Sequence, residues 1–290
     1  MTVTELEEIF IDQMPAFYSR DEAKAIAGLV LQHECKFTNS YYLLHKHQQI
    51  TTAEEISVIR ILDELRLGKP IQYVLAEADF FGLKFNVNSS VLIPRPETEE
   101  LVDWVIKYIT EHNLVHPKIL DIGTGSGCIP IVLKCKLPLS VVYGLDVSQE
   151  ALDVAAKNCE LNKIEVNLLQ ADIFNQNLDM GLMFDIIISN PPYITESEKN
   201  QMNDNVLKHE PHLALFVPND EPLIFYKSIA EFSRRHLSEK GCLFLEINEN
   251  YADETAIMLN QKGFKTEIRK DLQGKDRFIK AYKIYSLYHA

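Results

Sequence analysis

The apolar positions of residues 1–75 recur at helical spacing. Two four-residue patterns, Ser19-x-x-Glu22 and Thr52-x-x-Glu55, have the form of capping boxes, which begin helices. Three apolar faces follow this spacing: Leu6, Ile9, Phe10, Met14 and Phe17; Ala23, Ile26, Ala27 and Val30; and Val58, Ile59, Leu62 and Leu65. Residues 1–75 are therefore predicted to form a small all-helical domain with its own core.

A period of two replaces the helical period from Phe80 onward. The stretch FFGLKFNVN has a glycine near its start and alternating positions after it, which predicts a short β-hairpin. This hairpin lies in a predicted linker of residues 76–95. The segment PRPETEE (94–100) then begins a helix, because proline suits the first helical turn and glutamates suit its positive N-terminus.

Strands alternate with helices through residues 96–290. The predicted strands are KILDI, VVYGLD, 166–169, FDIIISN, CLFLEI, 264–269 and 278–285. Predicted helices lie between them at 128–136, after Ser148, through 229–237 and near 256–262. This alternation predicts an α/β fold with a doubly wound sheet of seven strands. Because the last two strands follow each other directly, the final strand is predicted to run antiparallel to its neighbours.

Composition and charge narrow the classes of protein. The chain has 290 residues, of which 46% are hydrophobic and 24% charged, as in ordinary globular domains. Its net charge of -13 disfavours nucleic acid as the main partner, because a phosphate backbone would be repelled. Five scattered cysteines without a C-x-x-C pair predict free thiols and no metal site. Without a long apolar run or a signal-like start, we predict a cytoplasmic protein with no membrane contact.

A glycine-rich loop and an acidic residue suggest a nucleoside site. The loop DIGTGSG follows the first strand of the sheet, and its residues Gly123, Thr124, Gly125, Ser126 and Gly127 open the next helix. Its spacing is G-x-G-x-G and so differs from the dinucleotide fingerprint G-x-G-x-x-G. The next strand ends in Asp146, where a carboxylate can accept both hydroxyls of a ribose. Taken singly, the loop could be any strand-helix junction and Asp146 a solvated carboxylate.

The third strand is followed by a further acidic residue with apolar neighbours. A carboxylate at Asp172 could accept from an adenine amino group, and Ile173 or Phe174 could cover the ring. Ligands of open α/β sheets bind at the carboxyl ends of the strands. Because all three features fall at such ends, they predict a nucleoside site together.

The fourth strand ends in the segment NPPYI. Two prolines stiffen the backbone around Asn190, because each fixes its own φ and restricts the residue before it. The Asn190 side-chain carbonyl and a backbone carbonyl could accept the two hydrogens of a planar –NH2 group. Tyr193 would offer a flat face to the same group. A proline turn that simply ends a strand is the alternative interpretation.

These motifs together resemble those of class I S-adenosylmethionine-dependent methyltransferases. More narrowly, LIPRPETEELVD (92–103), GKPIQYV and the helical first domain resemble the N5-glutamine methyltransferases of peptide chain release factors. The resemblance implies that the protein methylates the side-chain amide of the glutamine in the Gly-Gly-Gln loop of class I release factors. It also implies S-adenosylmethionine as cofactor, S-adenosylhomocysteine as product and no metal.

The resemblance also implies roles for individual residues. Gly123 through Gly127 and Asp146 would bind the cofactor, as would the residue that follows Asp172. Relatives often have an aromatic residue there, whereas this chain has Ile173 and then Phe174, so either could cover the adenine. The substrate glutamine would be held by Asn190, Pro191, Pro192 and Tyr193, with Asn190, Pro191 and Tyr193 as the catalytic residues and Asn190 also beside the cofactor.

Other interpretations of the motifs stay open from the sequence. A ribosomal-protein glutamine methyltransferase shares LIPR and NPPY, and an adenine-N6 methyltransferase of DNA or RNA would present a similar –NH2 group. A nucleoside-binding module without catalytic activity would explain the glycine loop and Asp146 but not NPPY. The connection of residues 195–218 is long, and such loops are often functional lids. We therefore expect it to shape the substrate entrance, with no catalytic role for His209.

Overall fold

A computed structural model provides the structure of the protein and describes residues 1–15 and 17–284. The chain divides into two units. The first contains Met1–Glu77 and Asn203–His209, and the second contains 78–202 and the described residues from 210 onward. Among the described residues, no helix is both long enough and apolar enough to cross a membrane.

The first unit is helical. Its helices are α1 Val3–Gln13, α2 Arg20–Glu34, α3 Asn39–Leu44, α4 Thr52–Arg66 and α5 Ile71–Leu75, and the later segment contributes α9 Asp204–His209. Their apolar faces form one core that includes Leu6, Phe10, Val30, Val58 and Leu62, all inaccessible to solvent. Full burial of one such side chain contributes about 1.5–3 kcal/mol. Short helices are marginally stable in isolation, so packing in this core stabilises them.

Capping boxes begin three of these helices. The box predicted at Ser19 is confirmed, because its hydroxyl accepts from the Glu22 amide and the Glu22 carboxylate accepts from the Ser19 amide. The box predicted at Thr52 is wrong by one residue, because Thr51 and Glu54 form it instead. The stretch TTAEE fits the pattern in either register, and the extended backbone of Thr51 decides between them.

The apolar stripe predicted for α1 extends too far. Helix α1 ends at Gln13, and its C-cap Met14 has an extended backbone. Phe17 therefore no longer follows the helical face, and it is 62% exposed. The third of these capping boxes, formed by Thr2 and Glu5, was not predicted.

The predicted hairpin opens the second unit. Its strands are β1 Glu77–Phe80 and β2 Leu83–Asn86, so β1 begins three residues before the predicted start. Phe81 and Gly82 between them both have positive φ, as the two central residues of a type I′ turn require. Phe80 and Phe85 are buried in a core cluster with Leu101, Val102 and Val105.

A sheet of seven strands forms the centre of the second unit. Its strands are β3 Lys118–Ile122, β4 Val141–Asp146, β5 Asn167–Gln170, β6 Phe184–Ser189, β9 Leu237–Glu246, β10 Phe264–Lys270 and β11 Asp276–Lys283. Their order is β10-β11-β9-β6-β3-β4-β5. Neighbours among β3, β4, β5, β6 and β9 pair in parallel, whereas β11 pairs antiparallel with β9 and β10. The predicted doubly wound fold with an antiparallel last strand is confirmed; of the predicted strand 278–285, position 285 lies outside the described residues.

Helices cover both faces of this sheet. They are α6 Pro96–Glu111, α7 Cys128–Lys136, α8 Gln149–Asn162, α10 Ile224–His236 and α11 Ala252–Gln261. Ile119 and Leu120 are consecutive in β3, yet they belong to two different core clusters because successive strand side chains point to opposite faces. Burial on both faces explains why the central strands are continuous apolar runs in the sequence.

The connection after β6 contains short ordered elements. Strands β7 Ile194–Thr195 and β8 Phe216–Val217 pair in parallel, and 3₁₀ helices occupy Glu196–Gln201 and His212–Ala214. The Thr195 hydroxyl and amide both contact the Glu198 carboxylate, which forms an additional capping box. The predicted long loop of residues 195–218 is therefore tied down at several points.

Candidate active site

One cavity of the second unit lies where the strand order reverses. Strand β3 has β4 on one side and β6 on the other, and connections leave these strands in opposite directions. This is the position at which open α/β sheets bind ligands. The cavity has a volume of about 380 Å³, within the range of small-molecule sites. Most of the predicted site residues line it: Gly123, Thr124, Gly125, Ser126, Asp146, Asp172, Ile173, Phe174, Asn190, Pro191 and Pro192.

The glycines of the loop after β3 have two different functions. Gly123 and Gly125 have φ of 74° and 52°, and a Cβ atom added to either would have no atom within 4 Å. Their backbone therefore borders open space that a ligand can enter. Gly127 was predicted as a cofactor contact, but it is not among the cavity-lining residues. A Cβ atom there would lie 3.0 Å from that of Ala155, so Gly127 allows helices α7 and α8 to pack closely.

The Asp146 carboxylate is held by two backbone amides. Gly125 donates to Oδ2 at 2.8 Å, and Ser148 donates to Oδ1 at 3.0 Å. Each carboxylate oxygen can accept a further hydrogen bond. Asp146 is therefore fixed at the cavity wall and can still accept two hydroxyl groups.

Asp121 is a candidate site residue that the sequence analysis did not single out. It lies in β3 with its side chain fully buried, and neither carboxylate oxygen has a hydrogen-bond partner among the described residues. The buried Thr124 hydroxyl also has no hydrogen-bond partner among these residues. Burial raises the pKa of Asp121 to about 7, outweighing the lowering effect of the neighbouring Thr124 hydroxyl, and the negative charge of Asp146 adds to the increase. An acidic residue inside the apolar run KILDI was the available signal, since such residues are rarely buried without a function.

Replacement of Asp121 by asparagine is expected to change how stability depends on pH. An unfolded aspartate titrates near 3.8, so the folded protein binds this proton more tightly and its free energy of unfolding falls as the pH rises to about 7. Asp121→Asn removes this loss, which is on the order of a few kcal/mol at about 1.4 kcal/mol per pKa unit. Urea unfolding without cofactor at pH 5 and pH 8 measures the difference, with the exposed Asp79→Asn as control. Equal pH dependence in the Asp121 variant and the original protein would contradict the expectation.

The candidate adenine contacts follow β5 at Asp172, Ile173 and Phe174. Asp172 accepts from the Phe174 amide at 2.8 Å, which turns the chain at the end of β5. Ile173 packs against a core cluster, whereas Phe174 is 40% exposed with its ring 4.8 Å from that of Phe225. Since Ile173 and Phe174 both line the cavity, which of them covers an adenine stays open.

The NPPY segment presents its residues in two directions. Asn190, Pro191 and Pro192 line the cavity, whereas Tyr193 is not among the lining residues. The Tyr193 hydroxyl donates to Glu246 Oε1 at 3.1 Å, and its carbonyl accepts from Asn248 Nδ2 at 3.1 Å. Contact between the Tyr193 ring and a substrate therefore stays a prediction that this geometry does not favour.

Two buried side chains, Thr98 and Glu246, are linked to Asn190 by hydrogen bonds, and Thr98 also lines the cavity. The Asn190 Nδ2 atom donates to Thr98 Oγ1 at 3.0 Å, and the Thr98 hydroxyl donates to Glu246 Oε2 at 2.7 Å. Burial raises the pKa of Glu246 to about 7. The hydrogen bonds from Thr98 and Tyr193 favour the ionised carboxylate and have a smaller, lowering effect. The sequence analysis did not single out Thr98 or Glu246. A glutamate inside the apolar run CLFLEI was the signal that could have identified the latter.

An ion pair joins the LIPR segment to the connection after β6. Arg95 Nη2 lies 2.6 Å from Glu210 Oε1, and Glu210 Oε2 accepts from the Ile93 amide at 3.3 Å. Glu210 is buried. The cavity wall includes Pro211, Leu213 and Ala214, so this part of the connection borders the cavity, and its role at the substrate entrance stays a prediction.

Comparison with known proteins gives the class first. Residues 103–213 match the Methyltransferase small domain family, and residues 16–75 match the PrmC N-terminal domain family. Among solved structures, the hMettl16 catalytic domain in complex with a 3'UTR hairpin has a TM-score of 0.56 at 18% identity, covering 82% of this chain and 84% of that one. A human methyltransferase 10 domain containing protein has a TM-score of 0.51 at 20% identity. The match covers 71% of this chain and 91% of that one. The solved structures and the domain match show an α/β methyltransferase fold.

The particular family follows from curated relatives. A release factor glutamine methyltransferase of Flavobacterium psychrophilum is 41% identical over 273 residues, which is 93% of this chain and 95% of the relative. Proteins of the same name from Bacteroides thetaiotaomicron and Streptococcus pneumoniae are 40% and 42% identical, over 91% and 84% of this chain and 94% and 85% of theirs. The chain belongs to the release factor glutamine methyltransferase family, and the resemblance inferred from its motifs is confirmed.

Proposed function

We propose that the protein transfers the methyl group of S-adenosylmethionine to the side-chain amide nitrogen of a glutamine in a peptide chain release factor. The observation that carries the proposal is the orientation of Asn190 at the cavity wall. Its amide nitrogen donates to Thr98, and no described residue donates to its Oδ1. A hydrogen-bond acceptor is thus left available beside a nucleoside-sized cavity, which suits a planar –NH2 group.

The cavity residues fit the proposed cofactor. The open space at Gly123 and Gly125 allows a ligand to approach the backbone, and Asp146 can accept from ribose hydroxyls. Thr124 also lines the cavity, and the buried Asp121 carboxylate places a further acidic group beside this loop. Carboxylates suit S-adenosylmethionine, which carries positive charge on its sulfonium and amino groups. S-adenosylhomocysteine is the corresponding product, and no metal is needed.

The chemistry depends mainly on positioning. An amide nitrogen is a poor nucleophile because its lone pair is delocalised into the carbonyl group. Asn190 Oδ1 and a backbone carbonyl of the NPPY segment would hold both amide hydrogens, direct the lone pair and stabilise the positive charge that develops on nitrogen. Bound S-adenosylmethionine supplies an electrophilic methyl group whose bond to sulfur breaks as the new bond to nitrogen forms. The methylated nitrogen then loses its proton, for which no general base is required.

Two other substrates were left open by the motifs. A ribosomal-protein glutamine would present the same amide, and adenine in DNA or RNA a similar –NH2 group. The names of the curated relatives, which match along most of both chains, favour a release factor. The fold neighbour in complex with a hairpin is 18% identical and is informative about fold alone. The net charge of -13 further disfavours nucleic acid.

The helical unit is proposed to recognise the protein partner, since the residues assigned to the chemistry lie beyond Gly82. A shortened chain that begins at Ala76 is expected to bind cofactor normally and to methylate an intact release factor about tenfold more slowly. Because residues 203–209 group with the helical unit, circular dichroism and cofactor affinity must first show that the shortened chain is folded. Unchanged activity of the folded shortened chain would exclude this role.

Methyl transfer from labelled cofactor tests the proposed function directly. Three substrates are compared: a class I release factor, ribosomes and DNA. We expect label only in the release factor, and none when the glutamine of its Gly-Gly-Gln loop is replaced by alanine. Label in a ribosomal protein or in DNA would support the corresponding alternative. Cofactor binding without transfer to any of the three would favour a binding module.

A further inference from the structure

We propose that Thr98 and Glu246 form a positioning pair that sets the hydrogen-bond polarity of the site and so directs the Asn190 carbonyl oxygen toward the substrate. This inference rests on the proposed function, and it assigns residues of helix α6 and strand β9 to that function. Thr98 lies in the LIPRPETEELVD segment without an assigned role, and Glu246 lies outside the motifs. They are 148 positions apart in the sequence and are joined by a hydrogen bond.

The polarity follows from what each group can donate. Above a pH of about 7 the Glu246 carboxylate is ionised and only accepts, so the Thr98 hydroxyl hydrogen points to Glu246 Oε2 at 2.7 Å. The Thr98 oxygen then faces Asn190 with lone pairs and accepts from Nδ2 at 3.0 Å. A flipped Asn190 amide would place its carbonyl oxygen against the Thr98 oxygen. These two acceptors could not bond, because the Thr98 hydrogen is donated to Glu246. The pair therefore selects the amide orientation that leaves Oδ1 as an acceptor.

The same carboxylate holds the other end of the NPPY segment. The Tyr193 hydroxyl donates to Glu246 Oε1 at 3.1 Å, so each oxygen of Glu246 has one side-chain donor. Glu246 thus holds Tyr193 directly and Asn190 through Thr98. Arg277 of β11 favours the ionised form of this carboxylate, and Glu97 of α6 opposes it.

The burial of Glu246 argues against a purely structural role. Glu246 is 1% exposed and Thr98 is 3% exposed, at the end of an apolar strand and on the buried face of a helix. A buried carboxylate has a large desolvation penalty, and apolar residues of similar volume are often equally or more stabilising. Orientation of the groups that bind the substrate by the Glu246 hydrogen bonds explains why a carboxylate is buried here.

Paired substitutions of Thr98 test the proposal. Thr98→Val keeps the shape and removes the hydroxyl, Thr98→Ser keeps the hydroxyl, and Thr110→Val removes a hydroxyl from the same helix that is bonded to a backbone carbonyl. In single-turnover transfer to a release factor, Thr98→Val is expected to be about tenfold slower, with cofactor affinity within about threefold of normal. The other two variants are expected to transfer methyl at near-normal rates. A Thr98→Val rate equal to that of Thr110→Val would overturn the proposal.

A second measurement needs no substrate and so separates this inference from the proposed function. In ¹⁵N-labelled protein, the Asn190 side-chain amide is assigned as the signal that Asn190→Asp removes. One of its hydrogens is expected to exchange with solvent about tenfold more slowly in the original protein and in Thr98→Ser than in Thr98→Val. Equal exchange in all three would overturn the positioning pair. If the release factor is not methylated at all, the proposed function fails, and the exchange rates still decide whether Thr98 orients Asn190.

Discussion

Replacement of Asn190 by alanine is expected to slow methyl transfer by about 10²–10³-fold, by analogy with the loss of one oxyanion-hole donor. The variant would leave one amide hydrogen of the substrate unpaired, and the nitrogen lone pair would no longer be directed at the methyl group. Cofactor affinity should stay within a few-fold of normal, because Asp146 and the glycine loop provide the proposed nucleoside contacts. Single-turnover transfer to a release factor, with affinity measured by calorimetry, checks both parts.

The Asn190→Asp variant is the matched control for this prediction. Aspartate keeps the shape and an acceptor, and it adds negative charge beside a cationic cofactor. It also loses the amide hydrogens that Asn190 donates to Thr98. We therefore expect a rate between those of the original protein and the alanine variant. Near-normal transfer by Asn190→Ala would show that Asn190 does not orient the nucleophile.

Replacement of Asp146 by alanine is expected to weaken cofactor binding more than about tenfold. Charge-assisted hydrogen bonds to the ribose would be lost, at a cost of about 1.5–3 kcal/mol. The carboxylate also accepts from the Gly125 and Ser148 amides, so the glycine loop would lose an anchor as well. Calorimetric titration with S-adenosylhomocysteine measures the affinity, and thermal unfolding monitors the fold.

Asp153→Ala provides the control for Asp146, because Asp153 lies on the following helix and bonds only the side chain of Gln149 among the described residues. Its cofactor affinity should be unchanged. Asp146→Asn keeps one acceptor oxygen and should bind with intermediate affinity. If Asp146→Ala binds as tightly as Asp153→Ala, Asp146 has to be removed from the proposed cofactor site.

Local motifs predicted the elements and the position of the cavity well. The apolar runs predicted the central strands β3, β6 and β9, since burial on both faces leaves only apolar side chains at most positions. The residues after β3, β4, β5 and β6 were predicted to meet because parallel strands end at one edge of a sheet, and all of the predicted site residues except Gly127 and Tyr193 line the cavity. Where one pattern fitted two registers, as in TTAEE, the sequence could not choose between Thr51 and Thr52.

What the sequence by itself determined is the class of fold, the family and the segments that border the cavity, because each depends on residues that are close in the chain. Only the tertiary structure decided that Gly127 packs against Ala155, that Tyr193 turns away from the cavity wall, and that Thr98 joins Asn190 to Glu246. The Arg95–Glu210 ion pair joins residues 115 positions apart. Such contacts follow from strand order and helix packing, which bring distant residues together, and no local spacing in the sequence records them.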